Sequence, residues 1–152
     1  MSKQLTTYSG KDVNFAGNFP FVGPVEAAGV AEKGLASLTI RMSVNQSVIQ
    51  IGMDGAVVPS VLSGDQGEIE MQVWQTSTLH QQLMAWYNGL RSARDAGDVS
   101  QWFGANVVIQ NIVDGSSHYA KGVAPVKVPD KTYQEQAQRV TWVLVACDIS
   151  SI

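Results

Sequence analysis

With 152 residues, the chain is long enough for one domain whose core needs no metal or disulfide, and we expect a single domain spanning residues 1–152. The formal net charge is −3, with scattered Lys and Arg, which argues against a protein that binds nucleic acid through its phosphates. Charged residues make up only 15% of the chain, below the roughly 25% of typical globular proteins, and this favours self-association.

The first 34 residues predict an arm and loop with one short strand at residues 11–15, because Gly and Pro interrupt the apolar residues. Such an arm must pack on its own barrel or on a neighbouring subunit. A short loop cannot bury three phenylalanines by itself, so we expect Phe15, Phe19 and Phe21 to contact another subunit.

Between residues 35 and 75, three segments alternate apolar and polar side chains with the period of a half-buried strand. In the third segment Ile69, Met71 and Val73 alternate with the polar residues Glu68, Glu70 and Gln72. Residues 57–62, which contain Pro59, predict an apolar link between the second and third strands, and Gly-rich turns flank it.

From Thr78 the apolar residues follow a helical period, with Leu79, Leu83, Trp86 and Leu90 on one stripe. Thr78 and Gln81 have the spacing of a capping box. The pattern predicts a helix near 78–90, ending either at residues 88–89 or after residue 95, where Gly97 would stop it. His80 is expected to be solvated in the first turn.

The C-terminal third returns to strand patterns at residues 106–113, 119–128 and 139–149, with a turn at Asp114 and Gly115. The last segment is apolar on both faces, which predicts a central strand covered on both sides and a buried Cys147. In total the patterns predict a mainly β protein: an antiparallel β-sandwich or partly open β-barrel of six or seven strands, flanked by one amphipathic α-helix.

No catalytic or cofactor site emerges from the sequence. His80 and His118 are the only histidines and lack metal-ligand spacing, and the glycines form no phosphate-binding loop. We therefore expect no enzyme activity, no metal and no cofactor, and the absence of a long apolar run leads us to expect no membrane insertion.

The acidic residues leave two interpretations open. They are either a solvated strand face with turn aspartates, or a surface that repels phosphate. The residues concerned are Asp54, Asp65, Glu68, Glu70 and Asp114.

Several short motifs, in their order and spacing, resemble a family of bacteriophage tail tube proteins. The motifs are Tyr8-Ser9, Asp12-Val13, residues 29–35, residues 52–58, residues 63–67, Thr76-Ser77 and Trp86-Tyr87-Asn88. The resemblance covers most of residues 8 to 90 and is to contractile-tailed phages, whose tubes are similar in fold to those of bacteriocins and type VI secretion systems.

The resemblance implies a structural virion protein whose hexameric rings stack into a tail tube that conducts DNA during ejection without binding it specifically. It also implies sheath, baseplate and tape-measure partners, assembly in the host cytoplasm and a final location in the virion tail. Glu68, Glu70 and Asp114 become candidates for the lumen, and Asp54 joins the three phenylalanines as an inter-subunit candidate. The alternatives are the inner tube of a type VI or bacteriocin-like system and a barrel-type small-molecule binding protein.

Overall fold

Seven antiparallel strands form one curled sheet, a half-barrel, in the computed structural model, which describes residues 13–27, 35–43, 45–111 and 115–151. The strand order is β2-β1-β7-β8-β9-β6-β3, and β4 and β5 form a separate hairpin. The elements are β1 (Val13–Phe19), β2 (Gly23–Ala27), β3 (Leu35–Met42), β4 (Ser47–Ile51), β5 (Val57–Val61), β6 (Gly67–Trp74), α1 (Thr78–Asp95), β7 (Ala105–Asn111), β8 (Ser117–Pro125) and β9 (Arg139–Ser151). The predicted mainly β class with one flanking helix is confirmed.

The core lies between the inner face of this sheet and the apolar stripe of α1. Trp86 of the helix and Trp142 of β9 are fully buried, and the ring of Phe19 meets Trp86 edge to face with centroids 4.8 Å apart. Burial of these large side chains removes much apolar surface from water, which is the main force holding the helix on the sheet.

The predicted N-terminal arm is wrong for the described part of that segment. Residues 13–27 form the hairpin β1-β2, and β1 also pairs with β7, so the segment is an integral part of the sheet. Only a glycine fits at position 17 of β1, because a Cβ there would be 2.7 Å from the ring of Phe19. Pro24 lies in β2, which is an edge strand where a missing N–H is tolerated.

The predicted apolar link at residues 57–62 is also wrong. Residues 57–61 are β5, which pairs with β4 from Ser47 opposite Val61 to Ile51 opposite Val57. Pro59 is compatible with this strand because β5 is an edge of a two-stranded ribbon.

Helix α1 begins at Thr78, but its N-cap is Ser77, whose Oγ accepts a hydrogen bond from the backbone N–H of His80 at 3.1 Å. The capping box predicted for Thr78 is therefore wrong by one residue. The helix runs on to Asp95, the later of the two predicted ends, and Gly97 follows with a positive φ of 90°.

His80 is buried, with 4% of its surface exposed, which corrects the expectation of a solvated residue. Its Nδ1 accepts a hydrogen bond from Nε1 of Trp142 at 3.1 Å, so the neutral ring carries its proton on Nε2. Burial lowers the pKa of His80 below its ordinary value of 6.5, and the positive charge of Lys131 lowers it further.

Strand β9 is central in the sheet, between β8 and β6, as predicted. Its inner residues are buried, but the outer ones are only partly covered, and Cys147 is exposed. The predictions of a strand covered on both sides and of a buried cysteine are therefore wrong.

Candidate functional site

The outer face of β6, which points away from the core, is acidic. Glu68 and Glu70 lie on this face with side chains 39% and 34% exposed, while Ile69 and Met71 between them are buried. The strict alternation predicted from the sequence is confirmed along the whole strand. The two carboxylates are therefore held at the surface by the same alternation that buries their neighbours.

Arg41 of the neighbouring strand β3 lies against both carboxylates. Its Nε is 3.6 Å from Oε2 of Glu68, directly opposite in the strand register, and its guanidinium donates to Oε2 of Glu70. The chain therefore presents two carboxylates and one guanidinium here, a net charge of about −1 at neutral pH. Arg41 was missed as a partner because the sequence did not specify how β3 and β6 pair.

The β4-β5 hairpin carries an exposed apolar surface. Its two strands put Ile49, Ile51, Val57, Pro59 and Val61 on one face, and the four Ile and Val residues of this set are between 59% and 89% exposed. Gln50 and Ser60 lie on the opposite face together with Val48 and Val58, and Val58 is 50% exposed. Scattered exposed hydrophobic residues are ordinary, but a continuous apolar face of this kind marks a contact surface.

The turn of the hairpin is built by Asp54 and Gly55. Oδ1 of Asp54 accepts a hydrogen bond from the backbone N–H of Ala56 at 3.0 Å, and Gly55 has a φ of 83° that a side chain would disfavour. Asp54 is exposed at the tip, and its assignment as an inter-subunit residue stays a prediction.

The three phenylalanines of the N-terminal segment have different environments. Phe15 and Phe19 are each 1% exposed and belong to the core of this chain, so their assignment as inter-subunit residues is wrong. The sheet and helix of the same chain cover both rings. Phe21 is 61% exposed and remains a candidate, whereas Asp114 lies outside the described residues.

An open groove of about 460 Å³ lies on the concave side of the half-barrel, between β3 on one wall and β1, β7 and β8 on the other. Its walls include Val13, Leu38, Ile40 and Ile109, together with His118, whose Nδ1 is 2.7 Å from Oγ of Ser151. In the described part of the chain, no group of three or more His, Cys, Asp or Glu could hold a metal ion. Nor is any described helix long and apolar enough to span a bilayer.

The sequence matches a family of tail tube proteins, and the fold matches chains from contractile injection systems. The family described as "Bacteriophage PhiTE tail tube protein" matches residues 5–152. No curated protein matches the chain significantly.

Three solved structures share the fold across nearly the whole chain. A chain of the anti-feeding prophage baseplate, 6-fold symmetrised, has a TM-score of 0.58 and 16% identity, covering 100% of this chain and 97% of that one. A chain of the anti-feeding prophage tube-terminating cap has a TM-score of 0.58 and 10% identity, with coverages of 100% and 94%. A chain of the PVC extracellular contractile injection system, from its sheath/tube terminator in the extended state, has a TM-score of 0.59 and 10% identity, with coverages of 99% and 98%. At these identities the likeness is one of fold, and the family match over residues 5–152 carries the assignment: the chain belongs to the bacteriophage PhiTE tail tube protein family.

Proposed function

We propose that this structural tail tube protein assembles into hexameric rings, and that the rings stack into a tube whose acidic inner wall conducts DNA during ejection. Family membership supports the tail tube role, and the family is structural and not enzymatic. The single observation that carries the finer proposal is the acidic face of β6, which is exposed and turned away from the core. A wall of this sign repels a polyanion and so favours its passage without binding.

The open sheet supports assembly into rings. β2 and β3 are its two edges, and each leaves one side of its backbone without a strand partner among the described residues. Unpaired strand edges are templates for pairing with another chain. A head-to-tail contact between different edges generates a closed ring when the rotation between subunits divides a full turn, and hexamers are one such solution.

Arg41, Glu68 and Glu70 are the charged residues that β3 and β6 contribute to the proposed wall, and Arg139 of β9 lies on the same face beside Trp74. Six copies of the first three would bring about 12 carboxylates and about 6 guanidinium groups to one ring, so this set contributes a net charge of about −6. Charges closer than the Debye length of about 8 Å at physiological salt are only partly screened, and their repulsion of phosphate adds up. DNA would therefore slide along the wall without a specific site.

A tube subunit of this kind belongs in the virion tail. The solved structures that share its fold come from a baseplate and from a sheath-tube complex. We accordingly propose sheath, baseplate and tape-measure proteins as its partners, and assembly in the cytoplasm of the bacterial host.

A second candidate is the inner tube of a contractile injection system that carries no DNA. It is favoured by the fold similarity to chains from the anti-feeding prophage and the PVC system. Capsid and terminase genes beside the gene for this chain would support the phage tail, and their absence would support the injection system.

The function is tested by electron microscopy of the purified protein over a concentration series, combined with light scattering. We expect rings at low concentration and tubes at high concentration, because an axial contact between rings needs no second protein. A strictly monomeric mass at millimolar protein would contradict assembly and would return attention to the concave groove as a small-molecule site.

A further inference from the structure

A groove of about 370 Å³, here called the β9 groove, lies between the outer face of β9 and the loop of residues 126–138 that joins β8 to β9. Arg139, Thr141 and Val143 alternate with buried residues of β9, so their side chains point outward and line the groove. The start of the loop forms the other wall, with Val126, Lys127, Pro129 and Asp130.

Backbone hydrogen bonds hold both ends of this loop on the sheet. The N–H of Val126 donates to the carbonyl of Val143 at 3.1 Å, and the carbonyl of Gln138 accepts from the N–H of Gln75 at 2.9 Å. Pro129 is buried within the loop and fixes one of its backbone torsions. The groove is therefore formed before any ligand binds, which lowers the entropic cost of binding.

The β9 groove contains two cations and one anion. Lys127 and Arg139 are both exposed, and neither forms an ion pair with a carboxylate in the described part of the chain, Asp130 of the same groove included. The three side chains together carry about +1 at neutral pH. Both cations are therefore able to bind an anionic group that enters the groove.

Trp74 of β6 holds the guanidinium of Arg139 in place. The two residues stand directly opposite each other in the strand register, and Cζ of Arg139 lies 4.8 Å from the centroid of the indole ring. The N–H donors of a guanidinium lie in its plane, so a ring against its face leaves them free. Arg139 is thus oriented for a bidentate bond to a carboxylate or a phosphate.

The surroundings of the groove favour a single carboxylate over duplex DNA. Val143 in the groove stands opposite Glu70, and Glu68 follows on the same face of β6. Duplex DNA carries one charge per about 1.7 Å of its axis, so a duplex at the groove would also bring phosphates against these two carboxylates. An isolated carboxylate on a peptide side chain avoids them, and the apolar walls cover its methylene groups.

We propose that the β9 groove binds an aspartate or glutamate side chain from an acidic peptide segment of a partner protein, with Arg139 and Lys127 as its two cationic ligands. Trp74 acts as a positioning residue for Arg139. Every group of the groove comes from one chain, so the site is independent of ring and tube formation.

The test is a calorimetric titration of the full-length protein with short acetylated and amidated peptides. The probe is Ala-Leu-Glu-Leu-Ala, and its matched control is Ala-Leu-Gln-Leu-Ala. We expect a Kd of about 0.1 to 1 mM for the glutamate peptide at about 20 mM salt, and binding about tenfold weaker for the glutamine peptide. A duplex of about 12 base pairs should show no binding that depends on the groove.

Variants assign the binding to the groove. Arg139→Gln should weaken the glutamate peptide by about tenfold, and Arg139→Lys by less, because it keeps the charge and loses the bidentate fork. Trp74→Leu should also weaken it, although it changes no charge. Asp130→Asn should tighten it by about twofold, because a competing carboxylate is removed. Arg91→Gln removes the same charge from the exposed side of α1 and should bind like wild type.

Circular dichroism establishes that each variant is folded before it is titrated. Equal binding of the glutamate and glutamine peptides, or unchanged binding in folded Arg139→Gln, would overturn the proposal. Duplex DNA that binds wild type and not Arg139→Gln, while neither peptide binds, would identify a phosphate site and would also overturn it. Protein that binds the glutamate peptide and forms neither rings nor tubes would count against the proposed function and leave this site intact.

Discussion

Reversing the charge of the β6 outer face is the perturbation that bears most directly on DNA passage. In wild type, Arg41, Glu68 and Glu70 together carry about −1 per subunit at neutral pH. Glu68→Lys with Glu70→Lys makes this about +3, so the net charge at the wall of a hexameric ring would rise by about 24. Such a wall would bind phosphate by counterion release instead of repelling it.

The structure also gives the cost of this change to folding. The two ion pairs are partly exposed and are worth about 0 to 1 kcal/mol each. The ammonium group introduced by Glu68→Lys would then stand directly opposite Arg41, and like charges across a strand pair cost about a further 0.2 to 1 kcal/mol. A loss of at most about 3 kcal/mol leaves a domain of ordinary stability folded.

The assay is the rate of triggered DNA release from particles that carry the variant tube, measured at several salt concentrations. We expect release at about 50 mM salt to be slowed at least tenfold, with the difference shrinking towards about 200 mM as counterion release loses its driving force. The pair Glu68→Gln with Glu70→Gln should stay within about twofold of wild type, because it adds no phosphate-binding charge.

A control variant with the same change in total charge tests whether the effect on DNA release is specific to the proposed wall. Asp130→Lys with Glu135→Lys makes an identical charge difference on the exposed loop between β8 and β9. Particles that carry this control variant should release DNA at the wild-type rate. If Glu68→Lys with Glu70→Lys also released DNA at the wild-type rate in low salt, the outer face of β6 would not line the channel.

Three further predictions concern folding. Because the folded-state pKa of His80 lies below 6.5, the unfolded chain binds its proton more readily, so stability is complete above pH 6.5 and falls as the pH drops below it. Urea unfolding at pH 7.5 and 5.5 should reveal this loss, and a smaller loss in His80→Gln. Gly67→Ala should cost more than about 2 kcal/mol in urea unfolding, because its Cβ would lie 2.5 Å from the carbonyl oxygen of Arg41 and would also clash with Ile149. Deleting residues 1–24 removes all of β1 from the sheet and should abolish the cooperative melting transition, so a truncated chain that melts like wild type would contradict the pairing of β1 with β7.

The parts of the fold predicted correctly are those that local periodicity determines. β6 and α1 each bury one face against the same core, so apolar residues recur with the period of the element, and this pattern can be read without knowing any partner. The same alternation correctly predicted that Glu68 and Glu70 lie on the outer face of β6.

The errors arose where a distant residue decides the outcome. Gly17 and Pro24 were treated as breakers of regular structure, but Gly17 makes room for the Phe19 ring and Pro24 lies on an edge strand. His80 is buried because Trp142, 62 residues away, provides the hydrogen bond that makes its burial tolerable. No local pattern contains either fact.

The candidate site was predictable only in part for the same reason. The exposure of Glu68 and Glu70 followed from alternation, but their pairing with Arg41 depends on the register between β3 and β6. The apolar hairpin face also depends on register, since β4 and β5 had to be recognised as partners before their apolar residues could be assigned to one side.

The central claim is that this chain forms a tube whose wall is the outer face of β6. The most direct measurement is a cryo-electron microscopy reconstruction of tubes grown from the purified protein, at a resolution that traces the strands. We expect six subunits per ring, with Glu68 and Glu70 facing the lumen. A reconstruction in which the outer face of β6 lies on the exterior of the tube, or an assembly that closes without a lumen, would contradict it.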